Sequence, residues 1–179
     1  MIGEAIEIGK LLAASNLIDG ASGNMSYREG DKIIITKRGV CLDNLSEKSF
    51  VAVDIDEMSE EASSDLIVHQ EIYKNTDYKV VLHCHGVYNV VLSFKFDYIE
   101  PVDLEGKLYF GRISVVEGQF GTEELAKKIA EKIDEKGAAI VRGHGMYVAD
   151  SSFRNAYNKA SYIEHSCNVK YKLMLLNKP

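Results

Sequence analysis

Short β-branched segments alternate with segments of helical period along this chain, and the alternation limits the architectures open to it. Residues 122–136 have the spacing of an amphipathic helix, and the stretch 138–142 that follows them, apolar up to Arg142, is typical of a buried strand. Residues 2–17 predict another helix, and residues 29–31 predict the tip of a hairpin. Hairpins first, with strands and helices interleaved afterwards, favour a three-layer α/β or α+β domain around a central sheet.

Further segments fit this order of elements. Strands are predicted over 50–55, 80–85 and 113–116, and helices over 63–73, 88–94 and 151–176. The chain of 179 residues contains no repeat, low-complexity tract or long linker. We therefore predict a single domain over residues 1–179, a length at which one hydrophobic core is usual.

Composition and charge exclude several classes of protein. Hydrophobic residues make up 46% and charged residues 27% of the chain, which excludes a disordered or collagen-like protein. Lys and Arg number 21 against 27 Asp and Glu, and the formal net charge of −6 argues against a nucleic-acid partner, which needs a basic surface. No uncharged apolar run approaches the ~20 residues of a membrane helix, so we expect no membrane partner.

The three cysteines, Cys41, Cys84 and Cys167, indicate the redox compartment. Their number is odd, and no pair has the Cys-x-x-Cys spacing of a redox or metal motif. This is not the pattern of a disulfide framework, so we predict reduced thiols and a cytoplasmic protein.

Histidines at the ends of two predicted strands carry the strongest chemical signal. Side chains alternate along a strand, so His83 and His85 point to one face while Cys84 points to the other, into the core. His144 follows the strand at 138–142 and is flanked by glycines. Three histidines with an open fourth position are typical of catalytic zinc, although imidazole also suits cobalt, nickel and iron.

A catalytic metal accounts for these histidines better than burial alone or a structural zinc does. His83 and His85 by themselves fit equally well as partly buried side chains bonded to backbone, but a third strand-end histidine favours a metal. A structural zinc would more often have four ligands that include cysteines, and Cys84 faces away. The remaining histidines, His69 and His165, are predicted to be surface, packing or supporting residues rather than ligands. His69 lies four residues after Asp65 in a predicted helix, so both face the same side.

Short polar turns form the second chemical signal. They are Gly-Asn-Met-Ser at 23–26, Thr-Lys-Arg-Gly at 36–39 and Ser-Ser-Asp at 63–65. Backbone N–H groups, hydroxyls at a helix start and one arginine can together bind a phosphate. Each turn alone is most often only a turn or a cap, but the three beside a group of histidines favour a phosphate-binding cleft.

The order of these motifs resembles that of the class II aldolase/adducin family. The polar turns are followed by His69, by His-Cys-His at 83–85 and by Gly-His-Gly at 143–145, and the likeness runs from about residue 6 to about residue 171. The resemblance implies an α/β fold, three-layer α/β/α around a central, mostly antiparallel sheet. It also implies a homotetramer with its sites near the subunit interfaces.

The same resemblance implies a reaction and a role for each motif residue. His83, His85 and His144 become the ligands of one Zn²⁺ per subunit, and Asp65 becomes the catalytic acid and base. The expected phosphate-binding residues are Gly23, Asn24, Arg38, Gly39, Ser63 and Ser64. The implied reaction is the reversible cleavage of L-fuculose 1-phosphate, or a related ketose 1-phosphate, to dihydroxyacetone phosphate and L-lactaldehyde or another aldehyde.

Departures from the family pattern leave other functions open. Aldolases of the family usually have Glu at the position of Asp65, and Asp there resembles the L-ribulose-5-phosphate 4-epimerases of the same superfamily. Lys107 stands where those epimerases have a catalytic acid, which disfavours them. A dehydratase of a phosphorylated ketose is a further alternative. A non-catalytic adducin-like interaction module would require a decayed metal site, whereas the histidines and the carboxylate are all present.

Overall fold

The computed structural model of the protein describes residues 1–176, apart from the side chains of Asp134 and Glu135. Residues 177–179, the end of the predicted domain, lie outside the described residues. The helices are α1 (Ile2–Ala14), α2 (Leu66–Asn75), α3 (Val87–Ser93), α4 (Leu104–Tyr109), α5 (Glu123–Lys136) and α6 (Phe153–Leu176). The strands are β1 (Asn24–Glu29), β2 (Lys32–Thr36), β3 (Phe50–Asp54), β4 (Val80–Cys84), β5 (Tyr98–Ile99), β6 (Ile113–Val116), β7 (Ala138–Val141) and β8 (Gly145–Asp150).

The strands form one eight-stranded sheet in the order β3-β2-β1-β4-β8-β7-β6-β5. Neighbouring strands are antiparallel except β6 and β7, which run parallel because α5 makes the crossover between them. The predicted hairpin is present, since Glu29 of β1 pairs with Lys32 of β2. The sheet is therefore mixed and mostly antiparallel, as predicted.

Apolar side chains cover both faces of the sheet and divide the helices into two layers. One face packs α1, α3 and α6 against side chains such as Leu82 and Met146. The other face packs α2 and α5 against side chains such as Val81 and Ala139. The alternation of Val81 and Leu82 between the two cores is that of a strand buried on both sides. The protein therefore has the predicted three-layer α/β/α architecture. Within residues 1–176, no helix is both long and apolar enough to cross a membrane.

Most predicted elements are present, with ends that differ by a few residues. α1 ends at Ala14 rather than at residue 17, because Asn16 has a left-handed backbone conformation (φ 53°) that stops the helix. β8 was not predicted, because it is buried on both faces and its side chains show no alternation of polar and apolar types. The short elements β5 and α4 were also not predicted.

Register brings three parts of this architecture together at one end of the sheet. β4 ends at Cys84, which pairs with Met146 of β8, so the turn between β7 and β8 lies beside the end of β4. β1 begins at Asn24, which pairs with His83. The start of α2 lies at the same end, since Asp65 approaches His83.

Candidate active site

Three histidines converge where β4 ends and the turn between β7 and β8 lies. The Nε2 atom of His83 lies 2.8 Å from Nε2 of His85 and 3.3 Å from Nε2 of His144. One ring nitrogen from each residue lies within 4.8 Å of the others, so the group could hold a metal ion. The structure thus brings together all three residues that the sequence predicts as ligands.

The surroundings of His83 keep its ring neutral, with the Nε2 lone pair free to bind a metal. Its Nδ1 atom donates a hydrogen bond of 3.1 Å to the carbonyl oxygen of Met146, which leaves the lone pair on Nε2. Burial, and then the nearby His85 and His144, lower the pKa of His83 well below its usual range. Burial also lowers the pKa of His85 and of His144, so all three rings are neutral at neutral pH.

Gly145 allows β8 to approach the histidines. A Cβ atom at this position would lie 2.5 Å from the carbonyl oxygen of Cys84 and 2.8 Å from the ring of His85. Any larger residue after His144 would therefore push β8 away from β4 and separate the rings.

Contacts outside the cleft hold the turn that carries His144. The backbone N–H of Gly143 donates to the Ser93 hydroxyl at the end of α3, at 2.9 Å. The Arg142 guanidinium donates to Asp97 at 2.6 Å and to Glu117 at 2.7 Å. These bonds tie the turn to three separate segments of the chain.

A buried carboxylate lies beside the histidines at the start of α2. Asp65 is 3% exposed, and its Oδ2 atom lies 3.7 Å from Nε2 of His83. The same oxygen accepts a hydrogen bond of 2.7 Å from Nδ2 of Asn24. Among the described residues, none hydrogen bonds to the other oxygen, Oδ1. A buried carboxylate with one free oxygen next to three imidazoles is suited to acid–base catalysis.

Behind Asp65, a line of hydrogen bonds runs into the interior. Oδ1 of Asn24 lies 2.6 Å from Nε2 of His69, and Nδ1 of His69 lies 2.6 Å from the Ser26 hydroxyl. The Tyr73 hydroxyl donates to the carbonyl oxygen of Ser26 at 3.0 Å. His69 is fully buried, and burial lowers its pKa to about 3. The surface alternative for His69 is therefore wrong, because the side chain is buried behind Asp65 and bonded to Asn24.

Tyr147 belongs to this site, although the sequence analysis did not single it out. Its ring stacks on His83 with centroids 4.0 Å apart and planes 14° apart. Burial, and then the charge of Asp65 and a hydrogen bond with its carboxyl group, raise the pKa of Tyr147 well above its usual range, so the hydroxyl stays protonated. The missed signal was register, because Tyr147 pairs with His83 across β4 and β8.

All ten residues with predicted roles line one cleft of about 180 Å³. They are Gly23, Asn24, Arg38, Gly39, Ser63, Ser64, Asp65, His83, His85 and His144, joined by Ala21, Ser22, Lys37, Val40 and Phe120. Backbone hydrogen bonds join the second and third polar turns, since Ser63 donates to Thr36 and Arg38 donates to Glu61. The turns that the sequence separates by more than twenty residues therefore share one wall of the cleft.

The donor set and its surroundings suit a divalent metal, because three neutral imidazoles meet beside a carboxylate. The family model of the Class II Aldolase and Adducin N-terminal domain matches residues 3–171. The chain belongs to the class II aldolase and adducin family. Class II aldolases use a divalent metal, and His83, His85 and His144 of this family member could bind one.

L-fuculose phosphate aldolases and a dehydratase are among the named relatives of this class II aldolase family member. The L-fuculose phosphate aldolase of Methanocaldococcus jannaschii is 30% identical over 176 residues, which cover 96% of this chain and 94% of that protein. The crystal structure of L-fuculose-1-phosphate aldolase from Thermus thermophilus matches with a TM-score of 0.93 at 29% identity, covering 99% and 97% of the two chains. A methylthioribulose-1-phosphate dehydratase from an Exiguobacterium species is 28% identical over 165 residues, which cover 81% of this chain and 80% of that protein.

Proposed function

We propose that the protein is a zinc-dependent class II aldolase that reversibly cleaves L-fuculose 1-phosphate or a related ketose 1-phosphate. Its products would be dihydroxyacetone phosphate and L-lactaldehyde or another aldehyde. The observation that carries the proposal is the cleft in which three imidazoles, a buried carboxylate and the polar turns meet. Relatives of similar length that are named L-fuculose phosphate aldolase support the choice of substrate.

His83, His85 and His144 would hold one Zn²⁺ per subunit. Imidazole nitrogens suit Zn²⁺, and three of them leave a coordination position for the substrate. When bound, the metal supplies a Lewis acid that stabilises negative charge on the ketone oxygen of the substrate. The protein contributes by keeping the rings neutral and by orienting His83 through the Met146 carbonyl.

Asp65 would carry the proton. In cleavage, the substrate hydroxyl that becomes the aldehyde releases its proton, and the carbon next to the ketone keeps the electron pair of the broken carbon–carbon bond. The protonated carboxyl of Asp65 would give its proton to that carbon through Oδ1, so one proton is released and one is added. In the direction of synthesis, the same oxygen removes that proton. The position of Oδ2, 3.7 Å from Nε2 of His83, places the carboxyl group beside the metal ligands.

The polar turns would bind the phosphate through Gly23, Arg38, Gly39, Ser63 and Ser64. The guanidinium of Arg38 supports this, because it is exposed at the cleft and no ion pair engages it within residues 1–176. Asn24, the sixth predicted contact, is already bonded at both ends of its amide. Its side chain therefore has one Nδ2 hydrogen left for the phosphate.

Two related reactions have an observation in their favour. The named dehydratase relative favours loss of water from a phosphorylated ketose. An aspartate at position 65 favours a phosphopentose 4-epimerase, which breaks and remakes the same kind of bond without releasing the aldehyde. Both would use the same metal ligands and carboxylate, so the products of the reaction separate them. A non-catalytic module is not supported by an intact set of ligands.

We include a homotetramer with sites near its interfaces in the proposal. Exposed apolar side chains support it, because Val87 and Val91 of α3 are 60% and 42% exposed and Phe94, just after α3, is 70% exposed. Phe94 also lies against Gly143, the residue before His144. Covering these side chains would remove apolar area from water next to the site.

The test is product identification with the zinc-loaded protein. Dihydroxyacetone phosphate with L-lactaldehyde, L-ribulose 5-phosphate alone and methylthioribulose 1-phosphate alone would be incubated separately and followed by NMR. The proposal expects a six-carbon ketose 1-phosphate from the first mixture. A new pentulose 5-phosphate from the second, or loss of water in the third, without condensation in the first would replace it with the corresponding alternative.

The metal assignment has its own matched pair of variants. His83→Ala should lose zinc and activity together, because it removes the central ring of the group. His165→Ala, which changes an exposed histidine outside the cleft, should keep both. Zinc retained at full stoichiometry by His83→Ala would contradict the ligand set.

A further inference from the structure

The hydrogen bonds behind Asp65 permit only one arrangement of their hydrogens. A carboxylate only accepts, so the Asn24 group that lies 2.7 Å from Oδ2 of Asp65 is the NH₂. The carbonyl oxygen of the amide therefore faces His69, whose Nε2 lies 2.6 Å away and must donate. A neutral imidazole has one N–H, so Nδ1 of His69 accepts, and the Ser26 hydroxyl donates to it over 2.6 Å.

The far end of this line is anchored in the core. The Ser26 hydroxyl oxygen lies 2.8 Å from the Tyr73 hydroxyl. The hydroxyl hydrogen of Ser26 is donated to His69. The Tyr73 hydroxyl is therefore the donor in its contacts with the Ser26 hydroxyl oxygen and the Ser26 carbonyl oxygen. Ser26 and His69 are fully buried and Asn24 is 6% exposed, so a lost partner along the line is not readily replaced by solvent.

We propose that His69 is a positioning residue, which acts on Asp65 through the amide of Asn24. By donating to Oδ1 of Asn24, His69 holds the NH₂ of that amide toward Asp65. That bond occupies Oδ2 of Asp65 and leaves Oδ1 free for the substrate. The inference rests on the proposed acid–base role of Asp65 and adds a residue that does not line the cleft.

Without the donor at His69, the two orientations of the Asn24 amide become closer in energy. In the reversed orientation, the carbonyl oxygen of Asn24 would face the carboxylate at 2.7 Å and repel it. Asp65 would then leave its place beside His83, and proton transfer would slow. The metal ligands and the polar turns would be unchanged, so zinc content and KM should change little.

The tautomer of His69 tests the inference without any measurement of activity. Long-range ¹H–¹⁵N NMR correlations of ¹⁵N-histidine-labelled protein distinguish a ring protonated at Nε2 from one protonated at Nδ1. We expect His69 as a neutral ring with hydrogen on Nε2 at neutral pH. A neutral ring with hydrogen on Nδ1 would overturn the proposal, because its Nε2 would then accept from Asn24 and could not hold the amide oxygen.

Three variants test the consequence for turnover. His69→Leu removes the donor and keeps the volume, and should lower kcat about 10- to 100-fold with KM and zinc content little changed. His69→Gln keeps an N–H near the place of Nε2 and should recover most of that loss. The matched control is Gln70→Met, which removes a partly buried hydrogen bond from α2 to the Glu57 carbonyl and should lose stability without losing kcat.

The outcomes separate failure of the inference from failure of the proposed function. If the wild type turns over substrate, two results would overturn the positioning role. They are a normal kcat in His69→Leu and a kcat in His69→Gln that is no higher than in His69→Leu. Absence of any turnover in the wild type would overturn the proposed function. In that case, and also if His69→Leu does not fold, the tautomer in the wild type still decides whether His69 holds the amide.

Discussion

Asp65 and Arg38 line the same cleft, but they are expected to act at different stages of one reaction. Asp65 is buried and has one oxygen free, whereas Arg38 is exposed and has a charge with no ion-pair partner within the described residues. A group that moves a proton changes the chemical step. A group that binds phosphate acts equally before and during that step. Steady-state kinetics can therefore separate the two residues.

Replacement of the carboxylate tests the chemical step. Asp65→Asn keeps the shape of the side chain but cannot take up a proton, so kcat should fall about 10²- to 10⁴-fold with fold and zinc content retained. Circular dichroism and metal analysis check the retained properties. The control is Asp43→Asn, an equal change of charge at an exposed position. An Asp65→Asn enzyme that turns over normally would remove Asp65 from the mechanism.

Removal of the guanidinium tests phosphate binding. Arg38→Ala should raise KM for the phosphorylated substrate by about 10- to 100-fold, the effect of one charge-assisted hydrogen bond, with kcat changed much less. Lys132→Ala is the matched control, because it removes the same charge from an exposed position on α5, outside the cleft. A fall in kcat at unchanged KM would place Arg38 in the chemical step instead.

The position of β1 depends on Gly23, the residue just before the strand. Gly23 has a φ of 78°, and a Cβ atom there would lie 2.8 Å from the carbonyl oxygen of His83. The strand can approach β4 and bring Asn24 opposite His83 only because position 23 has no side chain.

A pair of glycine variants isolates this close approach. Gly20 also has a positive φ, 53°, but nothing lies within 4 Å of a Cβ atom there. Both alanine variants carry the conformational penalty, whereas only Gly23→Ala adds a backbone clash. We expect Gly23→Ala to lower the free energy of unfolding by about 1 kcal/mol or more beyond Gly20→Ala, because of the clash, measured by urea unfolding. Equal losses of unfolding free energy in the two variants would show that β1 can move away from β4 without loss of stability.

The whole molecule should be sensitive to acid in its metal-free form. His69 and His83 are buried with lowered pKa values, about 3 for His69, whereas in the unfolded chain they titrate near 6.5. Between those pH values the unfolded chain binds more protons than the folded protein. The stability that is fully present above about pH 6.5 is therefore lost as the pH falls toward the folded-state values.

This expectation is measurable by urea unfolding in the presence of a chelator. The free energy of unfolding should be about 2 kcal/mol or more lower near pH 5 than near pH 7.5, since each buried histidine contributes up to about 1.4 kcal/mol per pH unit. His69→Gln should reduce the difference, and His165→Gln, at an exposed position, should leave it unchanged. Equal stability at both pH values would mean that these histidines are not held neutral by the fold.

Local sequence was sufficient to predict much of this protein. The strand and helix periods predicted the hairpin, α5 and the three layers, because an element buried on one face has apolar residues at the period of that element. Alternation along β4 placed Cys84 in the core and His83 on the opposite face, as the structure shows. The single domain over residues 1–179 and the roles of the cleft residues stay predictions.

Other features depend on contacts between residues that are distant in the chain, and local patterns do not record them. β8 has no alternation because both of its faces are covered, Met146 and Val148 on one side and Tyr147 and Ala149 on the other. The pairing of Tyr147 with His83 follows from register. The bonds that join Asp65, Asn24 and His69 unite a helix and a strand more than forty residues apart. Sequence periodicity specifies which face of an element is buried, but only the packing of elements against one another specifies which polar groups meet there.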